Sequence, residues 1–94
     1  MINVGIVDDH AIVRSGLRQF LSEHVDLRVV GEAANGREAI DLVHQQDIRV
    51  LVMDLAMPGR SGIDVLAQLR AKAPHMGILV LSGYPEEHYA ISLI

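Results

Sequence analysis

A repeating rhythm limits this chain more than any other feature. A short aliphatic run is followed by a stretch with apolar residues at helical spacing, and the pair recurs along the sequence. The aliphatic runs are Ile2–Val7, Leu27–Ala34, Ile48–Met53 and Ile78–Leu81. Each is too short for a buried helix and rich in the β-branched residues that favour strands. Between the first two, Val13, Leu17, Phe20 and Leu21 fall on one face of a helix predicted from Ala11 to Glu23. After the second run, Asn35 reads as an N-cap, with Glu38 three residues on completing a capping box. That helix carries Ala39, Ile40 and Val43 on its buried side. A third helix carries Ile63, Leu66 and Leu69 or Arg70, and must stop before Pro74. Pro85 suits the first position of a last helix, Glu86 and Glu87 suit its positive end, and the pattern runs on to Ile94.

Strand and helix in strict alternation predict four βα units around a doubly wound parallel sheet. Such strands are buried on both faces, and the composition agrees: 50% of residues are hydrophobic but only 3% aromatic, so aliphatic side chains supply the core. With 94 residues the chain forms one domain. Eight basic against twelve acidic residues give a net charge of −4, which does not suit a nucleic-acid surface. The absence of cysteine excludes disulfides, zinc thiolate sites and thiol catalysis. The first apolar run meets Asp8 and Asp9 too soon for a signal peptide or a membrane span, so the expectation is a cytoplasmic protein that binds no membrane.

In open α/β sheets, function gathers beyond the C-terminal ends of the strands. Those ends read Asp8-Asp9 after the first run, Asp54 after the third and Ser82-Gly83 after the fourth. If the first and third strands are neighbours, the three carboxylates converge. Carboxylates so crowded repel, and the pocket must hold a proton or a cation. An all-oxygen acidic site suits Mg²⁺ or Mn²⁺. A carboxylate is also a nucleophile in aspartyl-phosphate chemistry, which needs a metal and donors for the transferring oxygens. The Ser82 hydroxyl and the backbone N–H groups of Leu55, Ala56 and Gly83 are candidate donors. Each motif alone is commonplace, since an aspartate after a strand is usually a cap or turn residue. Their ordered occurrence at successive strand ends is what carries weight. His10, beside two aspartates, is read as a polar residue of a helix's first turn in preference to a metal ligand. The remaining histidines show no metal-ligand spacing, and Met53, Met57 and Met76 read as packing.

At this point the sequence resembles the receiver domains of bacterial two-component response regulators. Asp8-Asp9-His10 with Arg14 and Gly16-Leu17 is similar to the family's opening. Asp54-Leu55-Ala56-Met57-Pro58-Gly59 with Gly62 and Leu66 resembles its phosphoacceptor segment. Leu79-Val80-Leu81-Ser82 resembles its fourth strand. Gly31-Glu32-Ala33-Ala34-Asn35-Gly36 looks most like the NarL/FixJ (LuxR-type) class. The resemblance implies a flavodoxin-like (CheY-like) fold. It implies that Asp54 accepts a phosphoryl group from a phosphohistidine on a sensor histidine kinase. Asp9, Asp54 and the Ala56 carbonyl would bind Mg²⁺, with Asp8 acting through metal-bound water. Ser82 would report phosphorylation, and a surface including Tyr84, Glu87 and His88 would signal it onward. DNA binding would belong to a helix-turn-helix output domain outside this chain. Ala56 offers no side chain to orient an attacking water, so slow hydrolysis of the phosphoryl group is expected.

The resemblance also has gaps. The family's fifth strand and fifth helix have no counterpart, nor does the lysine of its fifth strand, because Lys72, the only lysine, ends the third helix. The expectation is therefore a regulator fragment whose fourth strand is an open edge. Such a fragment would self-associate, with exchange of its last helix as one route. Two other functions compete. A Mg²⁺-dependent phosphatase with an aspartate nucleophile needs a second acid two residues on, where this chain has Ala56. A phosphorylation-incompetent dimerisation fragment of the same fold is also compatible with the sequence. A nucleotide switch lacks its phosphate-binding loop.

Overall fold

A computed structural model describes residues 1–54, 62–81 and 91–93, with Gly62, Ile63 and the last three given by backbone alone. The elements follow in the order β1 (Ile2–Val7), α1 (Ala11–Ser22), β2 (Leu27–Ala33), α2 (Gly36–Gln45), β3 (Val50–Asp54), α3 (Gly62–Lys72), β4 (Gly77–Leu81) and β5 (Ile91–Leu93). They form one sheet of order β2-β1-β3-β4-β5. The first four strands are parallel. The order reverses between β1 and β3, and this is where an open α/β sheet opens a crevice at its C-terminal edge.

The core lies mainly on the face covered by α2 and α3. Val7, Leu51, Met53, Ile78 and Val80 pack there against Ala39, Val65 and Leu69. Neighbouring positions on the strands point the other way, so Val4, Ile6 and Val52 are buried on the opposite face. Helix α1 packs on β1 and β2. The pairing of β1 with β2 slips between Val4 and Gly5 and brings Gly5 opposite Gly31. Leu42 lies over that pair. A Cβ on Gly31 would fall 2.4 Å from Leu42 Cδ1, so the helix can approach the sheet only where side chains are missing. The α2 cap forms as expected: Asn35 Oδ1 accepts from Glu38 N–H at 2.9 Å, and Glu38 Oε1 accepts from Ala34 N–H at 2.9 Å.

Two expectations need correction. The helix predicted to run to Ile94 is not helical at Ile91–Leu93, which pairs antiparallel with β4, Leu93 opposite Leu79 and Ile91 opposite Leu81. The physical reason is the row of backbone donors and acceptors on the outer side of β4, which a returning strand satisfies and a helix cannot. Second, and by the same pairing, β4 is not the open edge expected. Helix α1 has no buried residue. Leu17 and Leu21 are half-buried, whereas Val13 and Phe20 are 40% and 58% exposed. The apolar stripe is present, but no described element covers it. Arg70, offered as an alternative to Leu69 on the buried side of α3, instead donates to the carbonyls of Pro74 and Met76 at 3.1 and 2.6 Å. Leu69 is the fully buried residue. No helix among the described residues is long and apolar enough to cross a membrane.

Candidate functional site

The pocket begins where β1 runs out. Asp8 N–H donates to Ala33 O at 3.0 Å, continuing the β1–β2 pairing for one bond. The chain then turns. Asp8 Oδ1 accepts the backbone N–H of His10 at 2.7 Å, an Asx turn that aligns the following residues for α1. His10 takes the N-cap position in an extended conformation, and its own side chain does not cap the helix. Arg14, one turn into α1, donates from Nη1 to Asp8 O at 2.6 Å, fastening the strand end to the helix.

β3 supplies the opposite wall. Its register with β1 pairs Val7 with Met53, so Asp8 and Asp54 project from adjacent strand ends. Asp8 and Asp54 are buried, and Asp9 is half-buried. Asp8, Asp9, His10 and Asp54 each offer a ligand atom within 4.8 Å of the others. Asp9 Oδ1 is buried without a hydrogen-bond partner. His10 Nδ1 approaches it to 3.0 Å, but without hydrogen-bond alignment, and is instead hydrogen-bonded to Asp8 Oδ1 at 3.2 Å. Three carboxylates this close, two of them buried, are stable together only with positive charge among them. Such a cluster could hold a metal ion, and its donor set suits a hard divalent one.

The three aspartates expected at this edge are therefore brought together. Leu55, Ala56, Ser82 and Gly83 lie outside the described residues, as do Tyr84, Glu87 and His88. His10, expected as a polar helix-start residue in preference to a metal ligand, joins the cluster. The signal that marks it is Asp8 two residues before, which sets the Asx turn.

Beside the pocket, Glu32 of β2 receives two guanidinium groups from α1. Arg18 Nε donates at 2.5 Å and Arg14 Nε at 3.1 Å. The Arg18 hydrogen bond, more than any other contact, holds the Glu32 carboxyl below the usual glutamate range, against partial desolvation. The same Arg14 thus ties α1 both to the strand end at Asp8 and to β2.

Comparison with known proteins agrees with this geometry. The response regulator receiver domain matches residues 4–94. The chain belongs to this family. As a receiver domain it is 37% identical over 90 residues to the transcriptional regulatory protein YhcZ of Bacillus subtilis (strain 168), covering 96% of this chain and 42% of that protein. It is also 37% identical over 86 residues to the response regulator protein VraR of Staphylococcus aureus, covering 92% of this chain and 41% of that one. The receiver domain thus spans about two fifths of the length of these relatives. Among solved structures it superposes on RcsB from Salmonella enterica serovar Typhimurium, bound to promoter rprA in the presence of phosphomimetic BeF3⁻. The TM-score is 0.83 at 34% identity, over 92% of this chain and 72% of that one. The response regulator domain of Thermotoga maritima CheB gives a TM-score of 0.83 at 34% identity, over 96% and 66%. The receiver is a signalling domain of the two-component class, with the CheY-like fold.

Proposed function

We propose that the acidic pocket is a phosphoacceptor site, with Asp54 as the nucleophile and Mg²⁺ or Mn²⁺ as the resident cation. The observation that carries this reading is the meeting of Asp8, Asp9 and Asp54 at the ends of β1 and β3, with Asp9 Oδ1 buried and unpaired. Asp9 and Asp54, with the Ala56 carbonyl, would hold the cation directly, and Asp8 would act through metal-bound water. When bound, the cation neutralises charge on the transferring phosphoryl oxygens. An Asp54 oxygen forms the new O–P bond as the P–N bond of a phosphohistidine breaks, and the imidazole of a sensor histidine kinase leaves. The Asp8 turn and the Arg14 bond to Asp8 O keep the facing carboxylates in register with Asp54. Ser82 and the N–H groups of Leu55, Ala56 and Gly83 receive the phosphoryl oxygens. The surface around Tyr84, Glu87 and His88 passes the signal on. In the whole protein, a helix-turn-helix domain binds DNA, a reading supported by the promoter-bound RcsB relative.

Self-association draws its support from the exposed apolar residues of α1, Ile12, Val13 and Phe20. It does not draw on the edge of β4.

Intact-mass measurement after incubation with acetyl phosphate and Mg²⁺ tests the proposal. A single phosphoryl adduct is expected on the wild-type chain, none on Asp54→Asn and none with chelator. An adduct of equal yield on Asp54→Asn would overturn it.

A further inference from the structure

Helix α1 buries no residue, so apolar packing holds it only loosely against the sheet. Polar contacts from β2 do the rest. We propose that Glu32 is a positioning residue of the acidic pocket. It orients the Arg14 guanidinium, which grips the carbonyl of Asp8 and thereby sets the Asp8–Asp9 peptide that aims the Asp9 carboxylate. This inference rests on the reading of the pocket as a divalent-cation phosphoacceptor site.

The register of the sheet brings Glu32 to the right face. Val29 of β2 pairs with Val4 of β1, but Gly31 pairs with Gly5, so Val30 is an extra residue in the ladder. One extra residue turns the alternation of side chains over. Glu32 therefore pairs with Ile6 and shares its side of the sheet, where α1 lies. In unbroken register it would lie opposite Val7, on the face covered by α2 and α3.

On the α1 face, Glu32 meets two arginines one helical turn apart. Oε2 accepts from Arg18 Nε at 2.5 Å and Oε1 from Arg14 Nε at 3.1 Å. The Arg18 hydrogen bond, above the other contacts, holds the carboxyl below the usual glutamate range, so it stays ionised and keeps both partners near neutral pH. Arg14 also donates from Nη1 to Asp8 O at 2.6 Å. A guanidinium is planar and rigid, so anchoring Nε also places Nη1. Asp8 N–H is held by Ala33 O and His10 N–H by Asp8 Oδ1, on either side of the Asp8–Asp9 peptide. Arg14 adds the bond to that peptide itself. Because the peptide is planar, its tilt directs the residue that follows, Asp9. Released from Glu32, the long Arg14 side chain would regain its rotamer freedom, and its grip on Asp8 O would loosen.

A double-mutant cycle tests this, with Mg²⁺ affinity read by calorimetry at neutral pH and at a temperature where circular dichroism shows the variants folded. Glu32→Gln keeps the shape of the side chain and loses the charge that binds both guanidinium groups. Arg14→Lys keeps the charge and loses the rigid fork. Each alone should weaken Mg²⁺ binding by about three- to tenfold, less than the roughly 10–100-fold seen for direct partners of metal ligands. Together they should cost no more than Arg14→Lys alone, because Glu32 acts through Arg14. In nitrogen-15 NMR spectra of wild type, the Arg14 Nε–H should exchange with water more slowly than those of the exposed Arg28 and Arg37. Glu32→Gln should remove that protection. The wild-type exchange rate decides the matter even where a variant fails to fold. Additive losses, as a charge acting at a distance or a general loosening would give, would overturn the proposal and leave the cation site intact. So would unchanged Mg²⁺ affinity in Glu32→Gln, or a wild-type Arg14 Nε–H that exchanges as fast as the exposed ones. Failure of wild type to bind Mg²⁺ would overturn both the proposal and the reading beneath it.

Discussion

The carboxylate of Asp8 does two jobs at once: its Oδ1 accepts the backbone N–H of His10 at 2.7 Å, and its charge lies buried beside Asp9 and Asp54. Substitution can separate the two. Asp8→Asn keeps an oxygen for the turn and removes a charge, so the metal-free protein should gain about 1 kcal/mol from relieved repulsion. Asp8→Ala loses the turn bond as well, and should be less stable than Asp8→Asn by about 1 kcal/mol. Stabilisation by Mg²⁺ should shrink in both. Urea denaturation with and without Mg²⁺ measures all of these differences.

Glu32 makes stability depend on pH in a predictable direction. Its folded carboxyl is held low, chiefly by the Arg18 hydrogen bond. A lowered carboxylate contributes stability above its unfolded value, about 4.3, and that contribution is lost as pH falls through the folded value below it. Glu32→Gln should therefore cost about 0.5–1 kcal/mol at pH 7, modest because the pair is partly exposed to solvent. The cost should be smaller at about pH 4, just below the unfolded value, than at pH 7, and weaken in high salt. Denaturation midpoints at the two pH values check this.

Two glycines should respond in opposite senses. A Cβ on Gly36 would fall 2.5 Å from Val65 Cγ2, and Val65 is a β-branched, fully buried residue of α3. Its χ1 is stiff, so Gly36→Ala should cost about 1–3 kcal/mol by overpacking. A Cβ on Gly16 in α1 would meet nothing within 4 Å. Gly16→Ala should stabilise by about 0.5–1 kcal/mol through helix propensity. Thermal unfolding of both variants, side by side, gives the sign of each.

The uncovered stripe of α1 should be cheap to truncate. Phe20 is 58% exposed and touches His24 edge-on, with ring centroids 5.3 Å apart. Phe20→Ala should cost less than about 1 kcal/mol, against about 2–5 kcal/mol for Leu69→Ala in the core. Light scattering on Phe20→Ala also shows whether this stripe supports any self-association.

Much of this architecture was legible in the residues, because patterns of period 2 and 3.6 are written locally. The Asn35–Glu38 box, the halt of α3 before Pro74 and the convergence of Asp8, Asp9 and Asp54 all follow from short-range signals plus one topological rule. The misses are tertiary. Ile91–Leu93 follows a helix-start signal at Pro85, but the backbone edge of β4 lies outside that local window. The fit of Gly36 against Val65 joins residues of different helices. The sequence favours a plain polar role for His10 because an Asx turn, not a spacing of ligands, carries its ring to the carboxylates. Periodicity marked Val13 and Phe20 as one face of α1 but cannot say whether anything covers that face.

The most direct test of the central claim is to locate the acyl phosphate chemically. Phosphorylated chain treated with borohydride should convert the modified aspartate to homoserine, and peptide mass mapping then identifies the position. The account predicts homoserine at position 54 alone, dependent on Mg²⁺ and absent without phosphodonor. Homoserine at Asp8 or Asp9, or none in any peptide of the treated chain, would contradict it.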